Sequence, residues 1–105
     1  LYESVLEQVA SWGSPEQLMF VVGATKAKEL ESIRKIIPAH FLLVPGVGAQ
    51  GGSLSEVTAY GKNNEVGLLI NASRAIIFAS SGANFAEDAA IAAKGYADEM
   101  KALLI

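Results

Sequence analysis

Residues 41–52 read FLLVPGVGAQGG, and the fold turns on how that stretch divides. Phe41, Leu42, Leu43 and Val44 are four consecutive apolar residues, the pattern of a strand buried on both faces in a parallel sheet. Pro45 has no backbone N–H and is expected to end the ladder. Gly46, Gly48, Gly51 and Gly52 allow a left-handed backbone and let a ligand approach with no Cβ in the way. Gln50 is the one long polar side chain among them. Ser53 is a good N-cap with Glu56 three positions on as a capping-box partner, so a helix is expected to restart there. A strand, a glycine loop and a helix start in succession suit an anion.

Two further apolar runs flank this one. Residues 18–22, LMFVV, end at Gly23, and residues 66–70, VGLLI, end at Asn71; both read as buried strands. The segments between them have helical periodicity. Tyr2, Val5, Leu6, Val9 and Trp12 make the apolar face of a first helix closed by Gly13 and Pro15. Thr25 can cap a second, in which Leu30, Ile33, Ile36 and Ile37 form the stripe, Glu29, Glu31, Arg34 and Lys35 face water, and Pro38 is the stop. Leu54, Val57 and Tyr60 point inward from a third helix over 54–61. Residues 63–65 form a polar turn, residues 75–79 a short helix, and residues 85–104 a last helix capped by Asn84, with Phe85, Ala89, Ala92, Tyr96, Met100 and Leu103 along one side. The expected fold is α/β: one helix, then three consecutive βα units with parallel strands and right-handed crossovers. Loops that follow parallel strands emerge at one edge of the sheet, which should gather Thr25, Gln50 and Arg74.

Composition narrows the function. At 105 residues the chain amounts to one domain at most, with 51% hydrophobic and 18% charged residues, too apolar for disorder and without a bilayer-spanning run. A net charge of −3 and the lack of a Lys/Arg cluster argue against a nucleic-acid partner. With no cysteine there is neither a disulfide framework nor a thiolate nucleophile, and the expected compartment is the cytoplasm. The chain starts at Leu1, already in helical rhythm, and reads as a piece that begins inside an element.

At the loop edge, Gln50 and Arg74 are the long polar side chains, flanked by the backbone amides of Gly51, Gly52, Ser73 and Arg74. Phosphate is the ligand that best uses a guanidinium fork, an amide and N–H groups at helix starts. The competing reading is that the glycines only make a tight turn and Arg74 is a solvated charge. GVGAQGG lacks the Lys-Ser/Thr ending of a Walker loop and the spacing of the dinucleotide fingerprint. His40, the single histidine, opens a strand at the edge opposite the loops and reads as structural or surface. Asp88 and Asp98 on the last helix read as solvated. No catalytic carboxylate pair, metal cluster or Ser/His/Asp set assembles at the loop edge, so the residues describe a binding half-site.

VVGAT at 21–25, LLVPGVGAQGG at 42–52 and GLLINASRAIIFAS at 67–80, in that order and spacing, resemble the C-terminal part of orotidine 5′-phosphate decarboxylase, in its longer bacterial form. The resemblance covers nearly the whole chain. It implies a (β/α)8 TIM barrel whose sixth to eighth strands are represented here, so that residues 1–105 would be the C-terminal portion of a single domain whose N-terminal part lies outside this sequence. It also implies a carboxy-lyase of pyrimidine biosynthesis that converts orotidine 5′-phosphate to uridine 5′-phosphate with no cofactor or metal, and a homodimer. Mapped residue by residue, Gln50, Ser73 and Arg74 would hold the substrate phosphate, and Pro45, Val47 and Gln50 would line the base pocket. The family's catalytic Asp-Lys-Asp set has no counterpart, because no Asp-x-Lys-x-x-Asp pattern occurs in this sequence. These residues alone should therefore not catalyse. The alternative is a non-catalytic α/β module that binds a phosphorylated small molecule.

Overall fold

Three short apolar segments pair side by side in a computed structural model that describes residues 1–24, 26–48 and 53–104. They are β1 (Met19–Val21), β2 (Phe41–Val44) and β3 (Leu68–Ile70), in sheet order β1-β2-β3. Both pairings are parallel, with Phe20 opposite Leu42 and Leu43 opposite Leu69. Among the described residues five helices join and flank them: α1 (Tyr2–Ala10), α2 (Glu29–Ile36), α3 (Leu54–Gly61), α4 (Ser73–Ile77) and α5 (Phe85–Leu103). The expected succession of parallel βα units is the one observed.

Alternation along the strands sorts the two faces of the sheet. Leu42 and Val44 are fully buried, and they join Leu30, Ile33, Ile37, Leu54 and Val57 from the helical layer in one core. The other face is uncovered: Val21 is 69% exposed, Leu69 48% and Met19 46%. The apolar runs are suited to burial on both sides, and these residues bury one.

Several boundaries differ from the sequence reading for local reasons. Pro45 ends β2 but not the pairing, since its carbonyl still accepts from the Ala24 N–H at 3.1 Å. β3 begins at Leu68 because Val66 (φ 75°) and Gly67 (φ 68°) both have left-handed backbones, closing the turn in which Asn63 and Val66 exchange backbone hydrogen bonds. α2 starts at Glu29, after a turn over 26–28, with Lys28 rather than Thr25 at its N-cap; Thr25 itself lies outside the described residues. Asn84 precedes α5 without a side-chain cap. Asp88 is not simply solvated, because it accepts from the Ser80 hydroxyl at 2.6 Å. In α1 only Leu6 is buried, while Tyr2 and Val5 on the helix and Trp12 in the turn after it are exposed. Ser53 caps α3 as expected: its Oγ accepts from the Glu56 N–H at 3.3 Å.

Arg34 departs most from its helical-wheel position. It does not extend into water; its guanidinium donates to four backbone carbonyls, those of Gly61 (2.5 Å), Ile37 (3.1 Å), His40 (2.6 Å) and Gly67 (2.9 Å). These carbonyls belong to the end of α3, the exit of α2 and the entries to β2 and β3. One fork of donors thus ties together the edge where the strands begin.

Candidate functional site

The strands end together at the opposite edge. After β2 the chain passes through Pro45, Gly46 (φ 90°) and Val47 to Gly48 (φ 82°). After β3 it needs only Asn71 and Ala72 to reach α4. Asn71 keeps its N–H on the Val44 carbonyl at 3.0 Å, and its Oδ1 accepts from the Ser73 hydroxyl at 2.7 Å. The Ile76 N–H bonds back to the Ala72 carbonyl at 3.1 Å. α4 therefore starts two residues before the sequence reading placed it, and Ser73 and Arg74 belong to its first turn, not to an exit loop.

These two chain exits enclose a cleft of about 150 Å³ whose walls include Pro45, Val47, Asn71, Ser73 and Arg74. Val47 is buried at 3% exposure, giving the cleft an apolar floor, whereas Ser73 and Arg74 are exposed. Among the described residues no carboxylate pairs with Arg74; the ion pair present is Lys94 with Asp98 at 2.9 Å. Of the residues the sequence singled out, Pro45, Val47, Ser73 and Arg74 thus come together at one edge. Gln50, the fifth, lies outside the described residues.

A larger cleft of about 490 Å³ opens at the strand-entry edge between Arg34, Pro38, Lys62, Asn63 and Glu65. Its guanidinium is already committed to four carbonyls, and it faces the end of the sheet where parallel α/β folds do not build their sites. The smaller cleft is the candidate. It falls short of the roughly 300 Å³ at which small-molecule pockets begin, so it suits the end of a ligand rather than a whole nucleotide.

His40 belongs to the entry edge as expected. It is 6% exposed and packs edge-on against Phe20 with ring centroids 5.4 Å apart, and neither ring nitrogen has a hydrogen-bond partner among the described residues. Burial first, and the neighbouring Arg34 charge second, push its pKa below the usual imidazole range. Among the described residues no cluster of three His, Cys, Asp or Glu side chains could hold a metal, and no helix is long and apolar enough to cross a membrane.

No family model matches the chain. Individual relatives do. It is 59% identical over 100 residues to the orotidine 5′-phosphate decarboxylase of Christiangramia forsetii, covering 95% of this chain and 37% of that protein. The relatives that cover it are orotidine 5′-phosphate decarboxylases, and this chain is similar to part of them. The enzyme of the same name from Bacteroides fragilis is 52% identical over 108 residues, covering 99% of this chain and 39% of its own length. The chain therefore spans well under half the length of these curated relatives. Solved structures agree on the fold. The UMP synthase of Leishmania donovani superposes with a TM-score of 0.79 at 35% identity, over 98% of this chain and 22% of that one. The OMP decarboxylase of the same organism gives 0.76 at 32% identity, over 98% of this chain and 38% of that one. The three parallel βα units are thus a part-length piece of the decarboxylase fold.

Sequence reasoning missed Arg34 and Tyr96. The one signal for Arg34 was a charged residue one position after Ile33, close to the buried stripe of α2. For Tyr96 it was an aromatic residue on the apolar side of an alanine-rich helix.

Proposed function

We propose that the protein containing these residues decarboxylates orotidine 5′-phosphate to uridine 5′-phosphate, and that this stretch forms the phosphate end of its site. The observation that carries the reading is the 59% identity to a named decarboxylase over 95% of the chain. The arrangement of the site supports it. Arg74 supplies a planar fork of donors suited to phosphate oxygens. Pro45 and Val47 offer an apolar wall for the base, and Ser73 adds a hydroxyl at the same rim. Gln50 is assigned the bridging position between phosphate and pyrimidine on the sequence resemblance alone.

These residues grip and orient the substrate; they contain no Asp-x-Lys-x-x-Asp pattern to press on the leaving carboxylate or protonate the ring carbon. Those groups belong to the earlier βα units of a complete (β/α)8 barrel, of which residues 1–105 would be the C-terminal portion. The bare sheet face bearing Val21 and Leu69 is where the barrel interior would pack. A cytoplasmic homodimer completes the reading. The test is formation of uridine 5′-phosphate from orotidine 5′-phosphate, followed chromatographically, by the full-length protein and by residues 1–105 alone. Turnover by the former and none by the latter is expected; an inactive full-length protein overturns the proposal.

A further inference from the structure

Gly48 lies in the turn that leads out of Val47, with φ at 82°. A Cβ built on it would fall on the hydroxyl oxygen of Tyr96, and the next atoms, Tyr96 Cζ and Ala75 Cβ, would each stand 3.3 Å away. Two independent constraints therefore hold this position as glycine: a left-handed backbone and a phenol oxygen in the space of a side chain. Tyr96 arrives from α5, far along the chain, and its ring is half-buried against the core. α5 packs on α3 and α4, and from it Tyr96 brings its hydroxyl to the turn that leaves β2, beside Ala75 of α4. That turn carries Val47, which lines the cleft together with Arg74.

We infer that Tyr96 is a positioning residue for the phosphate site: its hydroxyl braces the Gly48 turn, setting how the chain leaves Val47 and how a phosphate-bearing ligand fits between that turn and Arg74. The inference rests on the decarboxylase reading above. It specifies a steric pair, and steric pairs leave a signature. Gly48→Ala suffers both from φ and from collision with the hydroxyl. Tyr96→Phe removes the hydroxyl and leaves the new methyl with neighbours no nearer than 3.3 Å. The second substitution should therefore restore part of what the first destroys.

The experiment is a double-mutant cycle in the full-length enzyme, read as affinity for uridine 5′-phosphate and for uridine, with melting temperature recorded alongside. Gly48→Ala is expected to weaken uridine 5′-phosphate by about tenfold or more, and the pair Gly48→Ala, Tyr96→Phe to recover about threefold or more of that loss. Tyr96→Ala should weaken uridine 5′-phosphate about fivefold and uridine less than about twofold. Additive losses in the cycle overturn the inference, as do changes confined to melting temperature. Should Gly48→Ala fail to fold, Tyr96→Ala decides, and an unchanged affinity for uridine 5′-phosphate overturns the brace. A wild-type protein that binds uridine 5′-phosphate without decarboxylating orotidine 5′-phosphate refutes the activity and leaves the cycle readable on binding; one that does neither refutes both.

Discussion

Arg34 Nη2 donates to the Gly67 carbonyl at 2.9 Å, while the same carbonyl accepts the Leu42 N–H at 2.9 Å. A side chain from α2 is thereby written into the first rung between β2 and β3. Three more carbonyls share the guanidinium, and an ammonium has neither the planarity nor the reach to serve all four. Arg34→Lys in the full-length protein is expected to cost about 2–3 kcal/mol of unfolding free energy, in line with losing charge-assisted bonds to buried carbonyls. Urea denaturation measures it, and a loss under about 0.5 kcal/mol, the range of an ordinary surface substitution, would remove Arg34 from the framework.

Gly67 itself has no room for a side chain. A Cβ there would lie 2.5 Å from both Arg34 Nη2 and Asn63 Nδ2, at a φ of 68°. Gly67→Ala combines backbone strain with displacement of the guanidinium, and a destabilisation of roughly 2 kcal/mol or more is expected. Thermal unfolding of the variant beside Arg34→Lys and the double mutant checks it. Because both act on one network, the double mutant should lose less than the sum.

His40 gives the fold a pH dependence of definite sign. Its pKa in the folded protein is lowered by burial and by the Arg34 charge, so the unfolded chain takes up the proton first as pH falls below about 6.5. The stability that comes from a neutral His40 is fully present above that pH and is lost as pH drops toward the folded-state pKa. Denaturation midpoints should fall between about pH 7 and pH 5, and His40→Phe should flatten that part of the profile. A profile the same in both proteins would assign the dependence elsewhere.

Arg74→Ala should weaken uridine 5′-phosphate about tenfold to a hundredfold while hardly changing uridine, since charge-assisted bonds to phosphate oxygens are the ones removed. Titration of the full-length protein with both ligands separates the cases. Equal losses for the two would mean that Arg74 acts on folding rather than on phosphate.

The uncovered sheet face makes its own prediction. With Val21, Leu69 and Met19 about half exposed or more, and β1 and β3 at the sheet edges, residues 1–105 in isolation present apolar surface and unpaired backbone groups that favour association. Size-exclusion chromatography should show oligomers or aggregates. A dilute, exchange-protected monomer near 11.0 kDa would count against the proposed barrel and favour a self-standing module.

The sequence by itself determined the parts of this protein whose causes lie within a few residues of one another. Runs such as FLLV specify strands through composition alone, whereas VGLLI as read overran β3 by Val66 and Gly67, the two residues of its entry turn. Ser53 with Glu56 specifies a helix start through one hydrogen bond across three residues, and the proline and glycines after Val44 specify a turn. Their order dictates parallel βα units, and hence that Pro45, Val47, Ser73 and Arg74 meet at one edge. Tertiary structure alone decided what depends on where distant segments pass. Helical periodicity gives the direction in which Arg34 leaves α2, but a long flexible side chain can fold back, and only the convergence of four carbonyls made that favourable over hydration. The start of α4 shifted to Ser73 because the Val44 carbonyl and the Ser73 hydroxyl hold Asn71 from either side. Likewise, nothing near Gly48 announces the Tyr96 hydroxyl: a local pattern records the backbone a glycine permits, whereas the space it leaves empty is filled by whichever side chain the packing of α5 delivers.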